Sequence, residues 1–397
     1  MDIHRAGEYV LQPTGYRAFI PTALPPNPPL EMDDEMQALL SRADRALGRL
    51  DGSIQTLPNP DLFVFMYVRK EAVLSSQIEG TQASINDILE VEAKIFNPHH
   101  PRDVDEVLNY ITAMNYGLER LDKLPLSIRL IREIHEHLMR NVRGAEMRPG
   151  ELRTSQNWIG PQGSTLGDAT FVPPPPNILP QALGDLERFL HDESPMPALV
   201  KVGLAHAQFE TIHPFLDGNG RIGRLLVSFF LCEQKILLRP ALYISHYFRR
   251  HRERYYTLLQ ATRDGGDWEA WLKFFLDGIA EVSLEATETA RKIVDLREEH
   301  RSLITQQFGR VAGNGIKVLE SLFRFPIIQV KDVTSLLGVS FPSATSLIQR
   351  FVDHELLAEV TGKARNRRFR YGQYINLFSE ARLPLRLGHE VSNSDGM

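Results

Sequence analysis

The feature that most constrains the fold of this 397-residue chain is the segment of residues 213–224, which reads His-Pro-Phe-Leu-Asp-Gly-Asn-Gly-Arg-Ile-Gly-Arg. Gly218 and Gly220 can adopt positive φ angles at little steric cost, so the backbone around Asn219 can curl until successive N–H groups point at one anion. The apolar run of residues 225–232 predicts a following helix. The turn would then lie at a helix N-terminus, where unpaired N–H groups and the helix dipole favour negative charge. The segment therefore predicts a phosphate-binding turn.

The charged side chains of the same segment complete a polyphosphate site. Arg221 and Arg224 are three residues apart on one helical face and could take separate phosphates of one nucleotide. Asp217 could complete the shell of a magnesium ion together with phosphate oxygens and waters. His213 titrates near neutral pH and is the natural general base for a hydroxyl nucleophile. The alternative, a His-Pro turn with a solvated Asn-Gly loop, does not explain two arginines on one face.

Residues 213–224 resemble the Fic family signature, His-x-Phe-x-Asp/Glu-Gly-Asn-Gly-Arg-x-x-Arg. Eight defined positions within twelve residues make this match far more specific than a lone glycine-rich loop. Fic proteins typically transfer AMP from ATP to a Ser, Thr or Tyr hydroxyl of a protein, so the resemblance implies a protein adenylyltransferase, with itself among the candidate targets. The resemblance implies His213 as the catalytic base, Asp217 as the metal ligand, and an ATP-binding set of Gly218, Asn219, Gly220, Arg221 and Arg224.

A second short motif ends a helix that is predicted to begin near residue 61. Gly80 suits the position after a helix C-terminus, which places Glu79 in the last turn, where its charge opposes the helix dipole. Ser75, Glu79 and Gly80 resemble the Fic inhibitory motif Ser/Thr-x-x-x-Glu-Gly/Asn. The resemblance implies that Glu79 pairs with Arg224 and removes the cation that would orient the ATP γ-phosphate. A surface glutamate is the alternative.

The chain is predicted to be all-α apart from one hairpin in the catalytic body. Residues 1–30 are predicted to be an irregular, proline-rich arm, and residues 31–50 a core-facing helix that ends at Asp51-Gly52. Within residues 149–176, two short β-prone runs flank a glycine-containing turn and predict a hairpin. By resemblance this is the Fic flap, which clamps the target by strand-like pairing; a solvent loop is the alternative. His135 and His137 point to different faces of a helix, which disfavours a metal site.

The C-terminal part of the chain is predicted to be a winged helix-turn-helix after a connector helix at residues 281–307. Residues 340–354 would be the recognition helix and residues 359–371 the wing. The same fold serves as a protein-docking or dimer module, so DNA and a homodimer are alternative partners. The predicted domains are 1–100, 101–290 and 291–385. The basic wing residues that suit phosphate contact are Lys363, Arg365, Arg367, Arg368 and Arg370.

Adenine recognition is suggested only by the family resemblance. In Fic proteins the tyrosine at the place of Tyr256 lies near the adenine, and a nearby Asn often helps to read the base. Arg263 stands where that Asn would be expected. This departure leaves base selectivity open.

Composition indicates an ordinary globular protein of the cytosol. The net charge of −5 argues against nucleic acid as the overall partner, although not against a local basic patch. Cys232 is the only cysteine, so a disulfide framework is excluded. The absence of a long apolar run and of a basic-then-apolar N-terminus predicts a cytoplasmic protein without membrane contact.

Other functions remain as alternatives. A Fic-type transferase could move UMP, phosphocholine or phosphate, or the same site could remove AMP, with Glu79 aligning a water. A non-enzymatic alternative is a DNA-binding transcription regulator that uses a degenerate Fic body as a nucleotide sensor. The complete pair His213 and Asp217 argues against degeneration.

Overall fold

The computed structural model is mostly helical and describes residues 5–55, 57, 60–95, 100–142, 146–161 and 163–378. The helices are α1 (Asp34–Gln55), α2 (Pro60–Ile78), α3 (Ile85–Glu92), α4 (Val104–Leu121), α5 (Ile128–Leu138), α6 (Leu179–His191), α7 (Ala198–Ile212), α8 (Asn219–Glu233), α9 (Ser245–Arg250), α10 (Arg252–Gly265), α11 (Trp268–Gln307), α12 (Ala312–Leu322), α13 (Val330–Leu337), α14 (Phe341–Asp353) and α15 (Gly372–Asn376). Strands β1 (Gly7–Leu11) and β2 (Arg17–Pro21) form an antiparallel hairpin. A small antiparallel sheet has the order β3 (Ile327–Ile328), β5 (Phe369–Arg370), β4 (Ala358–Glu359).

Helices α7 and α8 form the centre of the molecule. Almost every residue of both helices is buried, because their sequences are apolar on nearly all faces. Helices α4 and α5 pack against α8, while α6, α10 and α11 pack against α7. The turn between α7 and α8 is therefore held from several sides by rigid elements.

One long helix, α11, joins the central body to the C-terminal part. Its 40 residues correspond to about 60 Å. Near its start, Trp271 Nε1 donates to the carbonyl of Gly203 in α7, and near its end His300 Nδ1 lies 2.8 Å from the hydroxyl of Tyr371. The predicted connector is thus the second half of a longer helix, and the predicted domain boundary at 290/291 falls inside it. The domain limits stay predictions; the end at 385 and the break around residues 97–99 lie outside the described residues.

The prediction of an irregular N-terminal arm was wrong for residues 7–21, which form the β1–β2 hairpin. Its turn contains Gly15, whose φ of +92° suits glycine. Phe19 is fully buried against Phe171, with 5.8 Å between ring centroids, and its N–H donates to the carbonyl of Val172. Tertiary contact with the central body thus stabilises a hairpin that the local sequence barely indicates.

Two further elements differ in extent from the prediction: helix α1 is longer, and the hairpin within residues 149–176 is shorter. Helix α1 continues through Asp51-Gly52 to Gln55, because Ile54 still buries its side chain in the core. The predicted hairpin within residues 149–176 contains one antiparallel bridge among its described residues, in which the N–H groups of Ile159 and Phe171 each donate to the other's carbonyl at 2.8 and 3.0 Å. We call residues 157–172 the flap.

The C-terminal part contains helices α12 to α15 and the sheet β3-β5-β4. Ser340 caps α14 through its side chain, which accepts from the N–H of Ser343. The winged helix-turn-helix assignment stays a prediction. Among the described helices, none combines the length and apolar character needed to cross a bilayer.

Candidate active site

The loop between α7 and α8 has a fixed and unusual backbone. His213 ends α7 in the left-handed conformation, with φ 50° and ψ 60°, and Gly218 precedes α8 with φ 80°. A side chain at residue 218 would also lack space, because a Cβ there would lie 3.0 Å from the sulfur of Met139 and 3.4 Å from Nε2 of His135. The glycine predicted for the anion-binding turn is therefore required by both conformation and packing.

Asn219 braces this loop with its side chain. Its Oδ1 accepts from the N–H of Phe215 and its Nδ2 donates to the carbonyl of Phe215, both at 2.8 Å. The side chain is 2% exposed, so only the backbone N–H of Asn219 is left for the predicted contact with an anion.

His135 supports the same loop from α5. Its ring stacks on that of Phe215 at 3.8 Å, Nδ1 accepts from the N–H of Gly150 at 2.8 Å, and Nε2 lies 3.0 Å from the carbonyl oxygen of Asp217. With Nδ1 as acceptor, the proton is on Nε2 and the ring is neutral. Burial lowers the pKa of His135 to about 4. The side chain is a core histidine, and sequence reasoning did not foresee its role beneath the turn.

The imidazole of His213 is held neutral by its surroundings. Burial lowers its pKa to about 3, and the nearby cations Arg263 and Arg153 act in the same direction. Nδ1 of His213 lies 3.4 Å from the carbonyl oxygen of Glu210. If Nδ1 carries the proton that this contact requires, Nε2 is the free acceptor. A neutral ring with one free nitrogen is the form that can take a proton from a hydroxyl.

Glu79 and Arg224 form an ion pair at this site, with 2.6 Å between Oε1 and Nη2. Arg224 is 1% exposed and also donates from Nε to the hydroxyl of Ser75 and from Nη2 to the carbonyl of Ser75. Partial desolvation opposes ionisation of Glu79, whose side chain is 34% exposed, but the charges of Arg224 and then Arg221 outweigh it and lower the pKa of the carboxyl below its usual value. The predicted inhibitory residues Ser75 and Glu79 therefore both contact Arg224.

The carboxylate of Glu79 also covers the start of α8. A Cβ added to Gly220 would lie 2.2 Å from Oε1 of Glu79 and 3.0 Å from Nη1 of Arg224. The carboxylate thus lies directly over a helix N-terminus, the place where an anionic ligand is favoured. The carboxylate can approach the backbone of residue 220 this closely only because a glycine has no side chain.

Arg221 and Arg224, which were expected to take separate phosphates, have different protein partners in the structure. Arg221 Nη1 lies 3.3 Å from Glu106 of α4, and its Nη2 lies 3.7 Å from Oδ1 of Asp217. Arg221 is 2% exposed. The buried pair with Glu106, which sequence reasoning missed, turns the guanidinium of Arg221 toward α4 rather than α2.

A metal ion would have one protein carboxylate here. In the part of the chain that the structure describes, no group of three or more His, Cys, Asp and Glu side chains could hold a metal. Asp217 accepts the N–H of Gly218 on Oδ1, and its side chain is 42% exposed. One accessible carboxylate beside an anion site fits magnesium, which keeps most of its waters and binds together with substrate phosphates.

Tyr256 and Arg263 are placed very differently. Tyr256 is 40% exposed, and its pKa is raised to about 12 by burial of its hydroxyl and by Glu79, so it lines the open side of the site. Arg263 is 6% exposed and donates to the hydroxyl of Thr211 and the carbonyl of Glu210. Arg263 is therefore occupied within the protein and does not take the place of a base-reading side chain.

A buried hydrogen-bond chain lies behind α8. His206 is fully buried, with Nδ1 2.8 Å from the carbonyl oxygen of Gly223 and Nε2 2.9 Å from the hydroxyl of Tyr255. Nothing in the sequence distinguished Tyr255 from its neighbour Tyr256, because only helix rotation decides which of them is buried.

The comparisons with known proteins agree with the geometry. A model of the Fic/DOC family N-terminal region matches residues 37–119, and a model of the Fic/DOC family matches residues 125–231. A probable protein adenylyltransferase of Aquifex aeolicus is 29% identical over 208 residues, which are 51% of this chain and 57% of that protein. The protein adenylyltransferase Fic of Drosophila ananassae is 31% identical over 210 residues, 50% of this chain and 38% of that protein.

The match to the curated relatives is partial, whereas the fold match covers most of the chain. This chain spans 57% and 38% of the length of the two curated relatives. The crystal structure of a Fic family protein from Desulfovibrio desulfuricans has a TM-score of 0.56 at 22% identity and covers 86% of this chain and 97% of that one. At this identity the similarity concerns the fold.

Proposed function

We propose that this chain, which carries the Fic/DOC family domains at residues 37–119 and 125–231, is a protein adenylyltransferase that moves AMP from ATP to a Ser, Thr or Tyr hydroxyl of a protein. One observation carries the proposal: an anion, the carboxylate of Glu79, lies beside Gly220 in the first turn of α8 and pairs with Arg224. A neutral histidine, His213, precedes the same turn. The site therefore has an acceptor for a proton and a place for a phosphate.

The chemistry would consist mainly of positioning. The target hydroxyl gives its proton to His213, its oxygen bonds to the α-phosphorus, and the bond from that phosphorus to the β-phosphate oxygen breaks to release pyrophosphate. The N–H groups of the turn from Gly218 to Gly220 would hold phosphate oxygens, and Arg224 would hold the γ-phosphate. Asp217 would hold magnesium, which supplies positive charge to the phosphates. Arg221, whose guanidinium lies 3.7 Å from Asp217, would add positive charge near the phosphates.

Glu79 would inhibit this reaction in the state described here. Its carboxylate occupies both the helix N-terminus and the guanidinium of Arg224, so the γ-phosphate and Glu79 compete for one cation. The protein would then exist in two states, one with the ion pair and one with ATP fully seated. Tyr256 would contact the adenine, since its partly exposed ring lies on the open side.

The experiment that tests the proposal follows two isotopes. The Glu79→Gly protein is incubated with magnesium and either α-labelled or γ-labelled ATP, and label retained on protein is measured. Retention from the α position alone supports AMP transfer, whereas retention from the γ position alone would make the protein a kinase. His213→Ala should abolish either signal, and its persistence would reject His213 as the base.

A second function, DNA binding by the C-terminal part, is favoured by one observation. Lys363 and Arg365 are exposed between β4 and β5, beside the partly exposed Arg367. We propose that residues 312–378 form a winged helix-turn-helix in which these side chains contact phosphates. A cytoplasmic location would suit both activities.

A further inference from the structure

Two buried arginines donate hydrogen bonds to backbone carbonyls at the C-terminal end of α7, which leads into His213. Arg153, which follows α5, is 3% exposed, and Arg263 of α10 is 6% exposed. Neither guanidinium makes an ion pair within 4 Å of a carboxylate among the described residues. Burying two charges in this way is costly unless their hydrogen bonds are satisfied. Their partners therefore indicate what the two side chains are for.

Arg153 binds the backbone on both sides of the site. Its Nε donates to the carbonyl of His213 at 2.8 Å and its Nη2 to the carbonyl of Ile212 at 3.3 Å. The same Nη2 donates to the carbonyl of Pro174, just after the flap, at 2.6 Å. Carbonyls at a helix C-terminus lack partners in the helix, so a cation there is doubly favourable. One guanidinium thus joins His213 to the segment that immediately follows the flap.

Arg263 makes a parallel connection from the other side. Its Nη2 donates to the carbonyl of Glu210 at 3.2 Å, the same oxygen that lies 3.4 Å from Nδ1 of His213. Its guanidinium also lies 3.9 Å from the ring centroid of Phe171 in the flap. The oxygen that orients the imidazole is therefore itself held by Arg263, and Arg263 rests on the flap.

We propose that Arg153 and Arg263 are positioning residues for AMP transfer. They hold the imidazole of His213 at a fixed position relative to the flap. A hydroxyl presented along the flap then meets the unprotonated ring nitrogen of His213. The catalytic part of this inference rests on the proposed function. The position of the His213 imidazole relative to the flap, however, can be measured in the protein without substrate. The two cations also favour the neutral ring, because each opposes a second positive charge.

The groups facing His213 come from four elements. Arg153 follows α5, Arg263 belongs to α10, Glu79 follows α2, and Glu210 lies on α7 itself. Glu79 acts in the opposite sense to the two arginines. The inference therefore needs a background without Glu79, so that a change at Arg263 is not masked by the inhibitory carboxylate.

The test uses the full chain with Glu79→Gly as parent and Arg263→Gln as the variant. We expect self-adenylylation at saturating ATP to fall by about tenfold to a hundredfold, as for a catalytic group displaced by about 1 Å, with less than about a twofold change in the half-saturating ATP concentration. In ¹⁵N-histidine spectra at neutral pH, the His213 signals, assigned through His213→Ala, should move from one tautomer to a mixture. Arg254→Gln, an exposed arginine on α10, is the matched control and should behave as the parent.

Arg263→Lys keeps the charge but offers a single donor head, so it should recover part of the rate and of the tautomer signal. If Arg263→Gln does not fold, as judged by circular dichroism, Arg263→Lys is compared with the parent in both measurements. Unchanged imidazole signals, or a loss confined to the half-saturating ATP concentration, would overturn the inference. A parent that transfers no AMP would reject the proposed function, while the imidazole signals would still decide whether Arg263 positions His213.

Discussion

Glu79 and Gly220 lie in such close approach that a methyl group on residue 220 would be 2.2 Å from Oε1 of Glu79. The carboxylate therefore lies against Gly220 in the first turn of α8, where the proposed function would place a phosphate oxygen. It is also held there by Arg224 at 2.6 Å. Inhibition and ATP binding would thus both require the guanidinium of Arg224 and the space beside Gly220. The ion-paired state and the ATP-bound state would therefore exclude each other.

Removing this carboxylate should activate the protein. Glu79→Gly is expected to raise the initial rate of AMP incorporation by about tenfold or more, because Arg224 then becomes available to ATP; tenfold corresponds to about 1.4 kcal/mol. The rate is measured with α-labelled ATP and magnesium. Glu151→Gly removes an exposed glutamate from a loop near the flap and should leave the rate unchanged. Equal rates for Glu79→Gly and the unaltered protein would refute the inhibitory role.

Gly223 should be required for space rather than for backbone conformation. A Cβ there would lie 2.4 Å from Oε1 of Glu210, a buried oxygen that has no hydrogen-bond partner among the described residues. Gly223→Ala should therefore destabilise the fold by about 1–3 kcal/mol, measured by urea unfolding. Gly48→Ala, on an exposed face of α1 with open space around it, should be neutral or stabilising.

A double variant separates this contact from a general helix effect. Adding Glu210→Ala to Gly223→Ala removes the atoms in conflict, so the cost of the alanine at 223 should shrink markedly in that background. An undiminished cost would mean that Glu210 is not the group displaced.

The pH dependence of stability should reflect buried neutral histidines. Burial lowers the pKa of His135 to about 4, whereas the unfolded chain should titrate near 6.5. Between these values the unfolded state binds more protons, so the free energy of unfolding should fall as pH falls. The slope contributed by one such histidine is at most about 1.4 kcal/mol per pH unit.

His135→Gln isolates that contribution. Glu71 and Glu210, whose pKa values burial raises to about 7, act in the opposite sense between about pH 4.5 and 7, since their folded forms hold the extra protons. They are present in both proteins and cancel in the difference. Urea unfolding from pH 7 to 4.5 should show a shallower loss of stability for His135→Gln, and parallel curves would contradict the neutral buried ring.

The site was predictable where backbone chemistry dictates the residue type. Gly218 has the positive φ that a glycine there suggests, and the apolar run forms α8, whereas Gly220 was expected to share that φ and instead lies in the first turn of α8. The side-chain partners were less accessible. Whether Arg221 faces Glu106 or a nucleotide depends on the rotation of α8 against α4, which no local pattern encodes.

The same distinction explains the errors in the fold. The hairpin at residues 7–21 depends on Phe19 meeting Phe171, a contact between distant parts of the chain. Arg263 was recognised only as a departure from the expected Asn, because its position in the sequence was known and its burial was not. Arg153 carried no signal at all, since a single arginine in a loop is usually solvated. Long-range packing decided each of these cases.

The last prediction concerns the C-terminal part, where two of the five basic residues in the predicted wing are already engaged. Arg368 Nε donates to the carbonyl of Ala93, just after α3, and Arg370 Nη2 donates to the side chain of Asn86 within α3, both at 2.8 Å. Their guanidinium groups therefore tie the β4–β5 region to the helix that follows Glu79. The exposed Lys363 and Arg365 and the partly exposed Arg367 are left as the candidates for phosphate contact.

If that region binds DNA, the triple variant Lys363→Ala, Arg365→Ala and Arg367→Ala should weaken binding to any duplex. It should also reduce the slope of log K against log salt by about 0.9 for each lost phosphate contact. Gel-shift titrations at several salt concentrations measure both quantities. Arg368→Ala removes one positive charge from a side chain that is already occupied and should change the slope little. Equal losses for a triple variant and for Arg368→Ala alone, or no shift of duplex by the full chain at low salt, would reject these three side chains as a DNA-binding surface.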